Sequence, residues 1–405
     1  MTASHHPAAT SQSSIWAIFL VFLRLGLTSF GGPVAHLGFF RNEFVERRRW
    51  LDERSYADLV ALCQFLPGPA SSQVGLAVGL LRGGYRGALA AWAGFTLPSA
   101  IALALFAIGI RSWGDALPGG ALQGLKIVAV AVVAQAVWGM GRSLCTDRLR
   151  IGISVLAAIT LLALPSAWTQ VAVIVVAGLL GLCWFRTNSA PATTELRVTV
   201  GRRSGLVLLA LFLTLLLVLP LLTQASSNSL LAMVDAFYRT GSLVFGGGHV
   251  VLPLLQAEVV PAGWVDQDAF LAGYGAAQAV PGPLFTFAAF LGASMNIAPS
   301  GWLGATVCLL ALFVPSFLLV IGALPFWQQL RQSSRTQAAL GGINAAVVGL
   351  LLAALYDPVW TSAIGGPTDF AAALLALAAL MVWKLPPWLV VAAGGVGGWL
   401  LGLAG

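Results

Sequence analysis

Two arginines stand inside stretches of the chain that are otherwise apolar. Arg24 precedes Phe30-Gly31-Gly32, and Arg239 precedes Phe245-Gly246-Gly247 at the same spacing. A guanidinium group stays protonated, and its planar fork of N–H donors suits an oxyanion. An arginine near the bilayer centre costs roughly 2.5–3.5 kcal/mol on insertion scales. Because both arginines carry this cost, we predict that they lie on an anion path; snorkelling to the interface or a salt bridge is the structural alternative.

Glycine and proline interrupt the chain at four places near these arginines. Two are Pro67-Gly68-Pro69 and Pro281-Gly282-Pro283, and two are Gly31-Gly32-Pro33 and Gly246-Gly247-Gly248. Proline cannot continue a helix, and a break inside a membrane is tolerated where it is buried in protein or lines an aqueous cavity. The helix that follows each break presents free N–H groups and a positive dipole end, which attract anions. Kinks without a ligand are the alternative.

The sequence therefore predicts a substrate site at the breaks, with hydroxyl groups next to them as further donors. The predicted substrate-binding residues are Arg24, Ser29, Gly31, Gly32, Pro67, Gly68, Pro69, Ser71, Ser72, Arg239, Gly246, Gly247, Pro281, Gly282, Pro283 and Thr286. Candidates for carrying protons are Glu43, Glu258 and His36, although Glu43 lies among arginines that can pair with it. We find no metal-ligand spacing, nucleophile motif or phosphate-cradling loop, so we expect no cofactor, no metal and no enzyme activity.

Composition identifies the elements that must hold these residues. Of 405 residues, 59% are hydrophobic and 9% are charged, and the mean hydropathy is +0.90. A soluble domain carries roughly a quarter charged residues, so this chain must face lipid. The net charge of +7 comes largely from arginines between apolar runs, where they contact lipid headgroups and set topology. A soluble basic module for nucleic acid is not indicated.

The chain is an internal duplication. The motif around Arg24 recurs about 215 positions later around Arg239, and the Pro-Gly-Pro motif, Glu43 and Trp50 recur in the same order. We divide the chain into an N-terminal tail (1–13), a first repeat (14–186), a polar linker (187–204), an extra transmembrane helix (205–223) and a second repeat (224–405). The predicted fold is an all-α polytopic membrane protein with broken or re-entrant helices.

Charge distribution predicts the orientation of the two repeats. Loops after the first, second and fourth apolar segments are rich in arginine, and their counterparts in the second half are not. Under the positive-inside rule the halves point in opposite directions, as an inverted-topology repeat. If all thirteen segments cross, the first two basic loops fall on opposite sides. If the first two segments and their counterparts are re-entrant, nine helices cross; the sequence favours this second arrangement but leaves both open.

At this point the sequence resembles the chromate ion transporter family. The residues that carry the resemblance are Thr28-Ser29-Phe30-Gly31-Gly32-Pro33, Gln64-Phe65-Leu66-Pro67-Gly68-Pro69, Phe245-Gly246-Gly247-Gly248-His249 and Pro281-Gly282-Pro283. The resemblance extends from Ser14 to the C-terminus and corresponds to the long-chain, two-domain form. It implies efflux of chromate across a bacterial inner membrane, chromate resistance, and a connection to sulfate, which has the same shape and charge. Because the sequence has no phosphate-cradling loop, we expect a gradient to drive the transport.

Two other functions remain open at this stage. One is import or exchange of sulfate or another oxyanion, with chromate as a passenger. The other is a non-transporting membrane protein, which would have no need of embedded arginines. The expected partners are an oxyanion, protons and membrane lipid, with no nucleic acid, and the sequence leaves homodimer formation open.

Overall fold

The computed structural model describes residues 14–113, 119–185 and 200–404. The predicted N-terminal tail and most of the predicted linker lie outside the described residues. Helices of the first half are α1 Ile15–Thr28, α2 Gly32–Arg41, α3 Glu53–Phe65, α4 Ala70–Trp113, α5 Gly119–Leu144, α6 Arg148–Ala163 and α7 Ala167–Trp184. A π-helical turn, Asn42–Arg47, continues α2. Non-helical backbone at Gly83 and Gly84 divides α4 into two arms.

The second half repeats this order after one additional helix. Its helices are α8 Arg202–Ala225, α9 Ser229–Leu243, α10 Val251–Val259, α11 Gln267–Ala277, α12 Phe287–Ser294, α13 Gly301–Ala323, α14 Trp327–Gln332, α15 Ser334–Ala354, α16 Thr361–Ala363, α17 Pro367–Met381 and α18 Pro387–Ala404. Short 3-10 turns, Gly248–Val250 and Leu284–Thr286, lead into α10 and α12. The all-helical prediction is confirmed, and the predicted extra helix at 205–223 lies within α8.

Length and hydropathy identify the helices that cross a membrane. Six apolar spans in the described residues are long enough, and they contain α4, α5, α7, α8, α13 and α15. Shorter apolar helices include α1, α17 and α18. The span in α8 has the highest mean hydropathy, 2.9, and most of its large side chains are exposed, as expected for a helix that faces lipid. The chain is therefore a multi-pass membrane protein.

Contacts at the hairpin ends separate the two topologies that the sequence left open. In the first half, the Arg82 guanidinium lies 5.3 Å from the ring centroid of Trp50, so the loops after the first and second broken segments are adjacent. In the second half, the Asn296 amide donates to the Trp264 carbonyl at 2.8 Å. The second broken segment of each half therefore returns to the level at which it started. These contacts agree with re-entrant hairpins rather than with thirteen crossings.

The two halves exchange their last hairpins. The helix α5 of the first half packs against α17 and α18, and α15 of the second half packs against α6 and α7. Gly124 and Gly342, which correspond in the repeat, permit these contacts, because a Cβ on either would lie within 2.0 Å of a backbone oxygen of the facing helix. Small residues allow this close approach between membrane helices. Neither half therefore completes its core alone.

Candidate functional site

The four hairpin tips meet at the centre of the molecule, and each tip bonds to a tip of the other half. The Gly68 amide donates to the Val244 carbonyl at 2.7 Å, and the Gly282 amide donates to the Ser29 carbonyl at 3.0 Å. Gly68 corresponds to Gly282, and Ser29 corresponds to Val244, so the two bonds are related by the repeat. Positive φ angles of 122° and 101° at Gly68 and Gly282 permit these turns. The structure therefore brings the four predicted breaks together.

A cavity of about 860 Å³ lies against these tips. Three of the helix starts that line it are Gly31 and Gly32 at the start of α2, Ala70 at the start of α4, and the stretch 247–249 that leads into α10. The first N–H groups of a helix have no partner within that helix, and they carry the positive end of its dipole. Three helix starts around one cavity give it a set of donors suited to an anion.

Polar side chains complete the lining. Those that face the cavity include Gln64, Gln135, Ser143, Asn344 and Lys384. Lys384 is the one Lys or Arg side chain among the described lining residues. Lys384 sits in a short polar loop between apolar segments, so its sequence context gives no sign of a binding role. Lys384 lies in the loop between α17 and α18, and the fold brings this loop next to the breaks.

The cavity reaches the surface at one end of the molecule. Ser143 and Lys384, both exposed, lie at the ends of α5 and α17. Arg142 lies in the last turn of α5, and Arg148 and Arg150 lie in the first turn of α6. This is the arginine-rich side of the chain, which the positive-inside rule assigns to the cytoplasm.

The space on the opposite side of the breaks is much smaller. A second cavity of about 80 Å³ shares Gly31 and Gly32 with the first and is lined by Gln278 and Gly282 of the second half. Farther out, the Lys126 ammonium contacts the Asp268 carboxylate at 3.0 Å and ties α5 to α11. Lys126 is the repeat counterpart of Asn344, which lines the large cavity. Asn344 therefore faces the large cavity, whereas its counterpart Lys126 is held in an ion pair on the other side of the breaks.

His36 connects the two hairpins of the first half. Its Nε2 lies 3.2 Å from the Ser29 carbonyl oxygen, and its Nδ1 lies 3.3 Å from the Ser71 hydroxyl. A carbonyl only accepts hydrogen bonds, so Nε2 carries the hydrogen and Ser71 donates to Nδ1. The same Ser29 carbonyl accepts from Gly282. His36 is thus buried beside the contact between the hairpin tips and does not line the large cavity.

Apart from the two arginines, the predicted substrate-binding residues fall into three groups. Five of them line the large cavity, namely Gly31, Gly32, Gly68, Gly246 and Gly247, and Gly282 lines the small one. The four prolines shape the turns without lining either cavity among the described residues; these are Pro67, Pro69, Pro281 and Pro283. The hydroxyl residues are buried behind the tips; these are Ser29, Ser71, Ser72 and Thr286.

The structure does not bring the two predicted arginines to the cavity. Arg24 is exposed on α1. Arg239 is buried, and its guanidinium contacts the Asp235 carboxylate at 2.8 Å and the Glu258 carboxylate at 3.2 Å. Asp235 lies one turn before Arg239, and the first half has apolar Leu20 at that position. The two arginines therefore correspond in sequence but occupy different environments.

The repeat-related acids also differ. Glu43, on the π-helical turn outside the membrane-spanning helices, contacts Arg48 at 2.6 Å and Arg47 at 2.9 Å. Partial burial opposes ionisation of Glu43, but hydrogen bonds and charge from Arg48 and Arg47 outweigh it and hold the pKa of this carboxyl below its ordinary value. A carboxyl held ionised by two arginines is poorly suited to carrying protons.

Re-entrant hairpins that enclose a cavity lined by helix starts, in a fold built of two repeats, define the class of secondary transporters. The family model described as "Chromate transporter" matches residues 16–182 and again residues 231–399. The chain therefore belongs to the chromate transporter family. The double match confirms the two repeated halves that the sequence predicted.

Relatives of two sizes resemble the chain. A chromate transport protein of Pseudomonas aeruginosa is 29% identical over 95% of this chain and 92% of its own length. A probable chromate transport protein of Synechococcus elongatus is 27% identical over 94% and 92%. An uncharacterized transporter of Bacillus subtilis is 31% identical over 39% of this chain and 81% of its own length, about the size of one repeat. No solved structure matches the chain.

Proposed function

We propose that this protein is a gradient-driven secondary transporter that exports chromate, a tetrahedral oxyanion, from the cytoplasm across a bacterial inner membrane and so confers chromate resistance. The observation that carries the proposal is the cavity of about 860 Å³ onto which three helix starts and Lys384 converge. Curated relatives that match most of the chain are named chromate transport proteins, which supports the choice of substrate.

The lining fits a tetrahedral dianion better than a cation or an apolar solute. An oxyanion is costly to remove from water and needs several donors to replace its hydration. Backbone N–H groups at the helix starts, the amides of Gln64, Gln135 and Asn344, and the Lys384 ammonium offer such donors. Among the described residues no carboxylate lines the cavity to repel an anion. The binding chemistry is therefore that of an anion site with one fixed positive charge.

The side on which the cavity opens supports loading from the cytoplasm. It reaches the surface beside Lys384, at the end of the molecule where the loops are rich in arginine. A substrate that enters there and leaves on the side of Lys126 and Asp268 is exported. Alternating access in inverted-repeat transporters proceeds by movement of one repeat against the other around a fixed site.

Radiolabelled chromate uptake into everted membrane vesicles, with an imposed proton gradient and with sulfate as competitor, tests the proposal. We expect gradient-dependent uptake. In the Lys384→Gln variant the apparent affinity should fall roughly 10- to 100-fold, since a charge-assisted hydrogen bond contributes about 1.5–3 kcal/mol. The matched control is Arg142→Gln, which removes an exposed cation in the last turn of α5 that does not line the cavity.

Each outcome separates the alternatives. Equal handling of sulfate and chromate would replace chromate export by general oxyanion transport, and net movement in the opposite direction would make the protein an importer or exchanger. Absence of uptake of either anion would sink the transport proposal and favour a non-transporting membrane protein. A similar loss in Lys384→Gln and Arg142→Gln would show that Lys384 acts through general surface charge and not at the site.

A further inference from the structure

Three charged side chains form a cluster inside the second half, away from the cavity. The Arg239 guanidinium contacts the Asp235 carboxylate through Nη2 at 2.8 Å and the Glu258 carboxylate through Nη1 at 3.2 Å. Their side chains are 10%, 7% and 15% exposed for Arg239, Asp235 and Glu258. The Arg239 guanidinium also lies 5.0 Å from the ring centroid of Trp168, which shields it further. The cluster thus holds two acids and one base.

The surrounding helices do not balance this excess of acid. The helix α9 packs against α8, α10 and α13, and α10 packs against α7 and α15. Their cationic side chains, Arg202, Arg203 and Arg335, lie at the starts of α8 and α15. The Tyr238 hydroxyl bonds to the Phe212 carbonyl, about 15 Å along α8 from Arg202. Among the described residues no second cation is within ion-pair distance of either carboxyl group.

The other titratable groups on the helices around the cluster are one histidine and two cysteines. His249, in the turn before α10, bonds to the Tyr274 hydroxyl through Nδ1. Cys308 on α13 is a buried free thiol, and Cys183 on α7 is exposed. In the part of the chain that the structure describes, none of the three forms an ion pair with the cluster. Charge balance within the cluster therefore has to come from a proton.

If both carboxyl groups were ionised, the cluster would bury a net negative charge, which is strongly unfavourable in a medium of low dielectric constant. We propose that Glu258 holds an exchangeable proton and that the cluster of Asp235, Arg239 and Glu258 is the proton-binding site of the transporter. The shorter contact and the lower exposure of Asp235 assign it as the ionised partner of Arg239. Glu258, with longer contacts and greater exposure, is the group that gains and loses the proton.

The position of the cluster connects the proton to the anion cavity. Asp235 and Arg239 lie on α9 and Glu258 lies on α10, the two arms of one hairpin. The tip of that hairpin supplies 246–249 to the cavity lining. Loss of the proton places two carboxylates on one guanidinium, gives the cluster a net negative charge, and so changes the charge of the contact that joins the two arms. The coupling of proton to anion rests on the proposed transport function, whereas the proton site itself does not.

The first half supplies a natural control. Glu43 is the repeat counterpart of Glu258, but it contacts two arginines and has no second acid in contact among the described residues. One carboxyl with two guanidinium groups stays ionised, and one guanidinium with two carboxyl groups retains a proton. The same residue type at the same position of the repeat therefore has opposite protonation in the two halves.

Infrared difference spectroscopy on the purified full-length protein tests the proton site without a transport assay. We expect a carbonyl stretch of a protonated carboxylic acid that shifts in heavy water, disappears in Glu258→Gln and persists in Glu43→Gln. Persistence of the band in Glu258→Gln, or its absence from the wild-type protein throughout the pH range in which it stays folded, would overturn the proposal. Disappearance in Asp235→Asn but not in Glu258→Gln would contradict the assignment to Glu258.

Proteoliposomes test the coupling. In Glu258→Gln, uptake of chromate driven by a proton gradient should be lost, while exchange of internal for external chromate is retained. Retained gradient-driven uptake in this variant would overturn the coupling role. If the wild-type protein exchanges no chromate at all, the proposed transport function fails, and the infrared result still decides whether Glu258 binds a proton.

Discussion

Gly68 lies against Ser316 of the opposite half so closely that a Cβ on Gly68 would be 2.7 Å from the Ser316 hydroxyl oxygen. The repeat counterparts show the same relationship, since a Cβ on Gly282 would lie 2.9 Å from the Ser99 hydroxyl. Each Pro-Gly-Pro turn therefore presses on a long helix of the other half. The two Pro-Gly-Pro turns therefore form part of the substrate site and also pack the two repeats against each other. The substrate site and the contact between the repeats depend on the same residues.

Alanine at Gly68 or Gly282 should destabilise the protein. The positive φ angle costs about 1–3 kcal/mol for a non-glycine residue, and overpacking adds about 1–3 kcal/mol. Gly84 is the control, because its φ is +61° but nothing lies within 4 Å of its added Cβ. We expect the melting temperature of Gly84→Ala to be well above those of Gly68→Ala and Gly282→Ala. Thermal unfolding of the detergent-solubilised protein, monitored by size-exclusion chromatography, measures these temperatures. Equal melting temperatures of the three variants would show that the close contacts of Gly68 and Gly282 with the other half do not contribute to stability.

Neutralising the two repeat-related arginines should have unequal effects. Arg239→Gln leaves Asp235 and Glu258 buried without their cation, and breaking a buried pair costs about 3–5 kcal/mol. Arg24→Gln changes an exposed side chain, for which about 0.5 kcal/mol or less is expected. The yield of folded protein and its melting temperature measure the difference.

A compensated variant checks the cause of the Arg239 effect. Combining Arg239→Gln with Asp235→Asn and Glu258→Gln removes the buried charges together, so stability should recover relative to Arg239→Gln alone. No recovery would show that the guanidinium acts through packing on Trp168 rather than through its acidic partners.

Much of the fold could be predicted because its determinants are local. Proline and glycine break helices wherever they occur, so Pro67-Gly68-Pro69 and its counterpart marked the hairpin tips, and the repeat marked their partners. Asp52 occupies the N-cap position of α3, and its carboxylate accepts from the Ser55 amide at 2.9 Å. Its counterpart Asp266 occupies the N-cap position of α11 but makes no capping hydrogen bond with its side chain.

The residues that were missed depend on contacts distant in sequence. Lys384 reaches the cavity because the last hairpin of the second half packs on α5 of the first. Trp168, which covers Arg239, lies in the first half. Neither of these two long-range contacts produces a periodic pattern in the sequence. The role expected for Arg239 assumed that equivalent positions have equivalent surroundings, and Asp235 breaks that assumption by standing where the first half has Leu20.

The ion pairs of Glu43 predict a pH dependence of stability. Arg48 and Arg47 hold the pKa of this carboxyl below its ordinary value despite its partial burial. Because the folded-state pKa is depressed, the stabilisation is fully present above the unfolded pKa of about 4.3 and is lost as the pH falls through the folded value. The melting temperature of wild type should therefore exceed that of Glu43→Gln at neutral pH, and the gap should narrow in acid. A gap that widens in acid would contradict the pairing.

Re-entrant hairpins predict a pattern of surface labelling that thirteen crossings cannot produce. The contacts between Trp50 and Arg82 place the first two loops together, and the bond from Asn296 to Trp264 places their counterparts together. Asn42 and Arg86 represent the first pair of loops, and Ala262 and Asn296 represent the second; all four are exposed.

Single cysteines at these four positions, introduced into a variant without the native cysteines, can be labelled in intact cells with a membrane-impermeant maleimide. The positive-inside rule assigns the arginine-rich loops to the cytoplasm. We therefore expect labelling at Ala262→Cys and Asn296→Cys, and labelling at Asn42→Cys and Arg86→Cys only after the cells are opened. Thirteen crossings would instead separate the members of each pair, so that one of Asn42→Cys and Arg86→Cys reacts from outside while the other does not. The paired result would also establish that the two repeats have opposite orientations, because equivalent loops would then lie on opposite sides of the membrane.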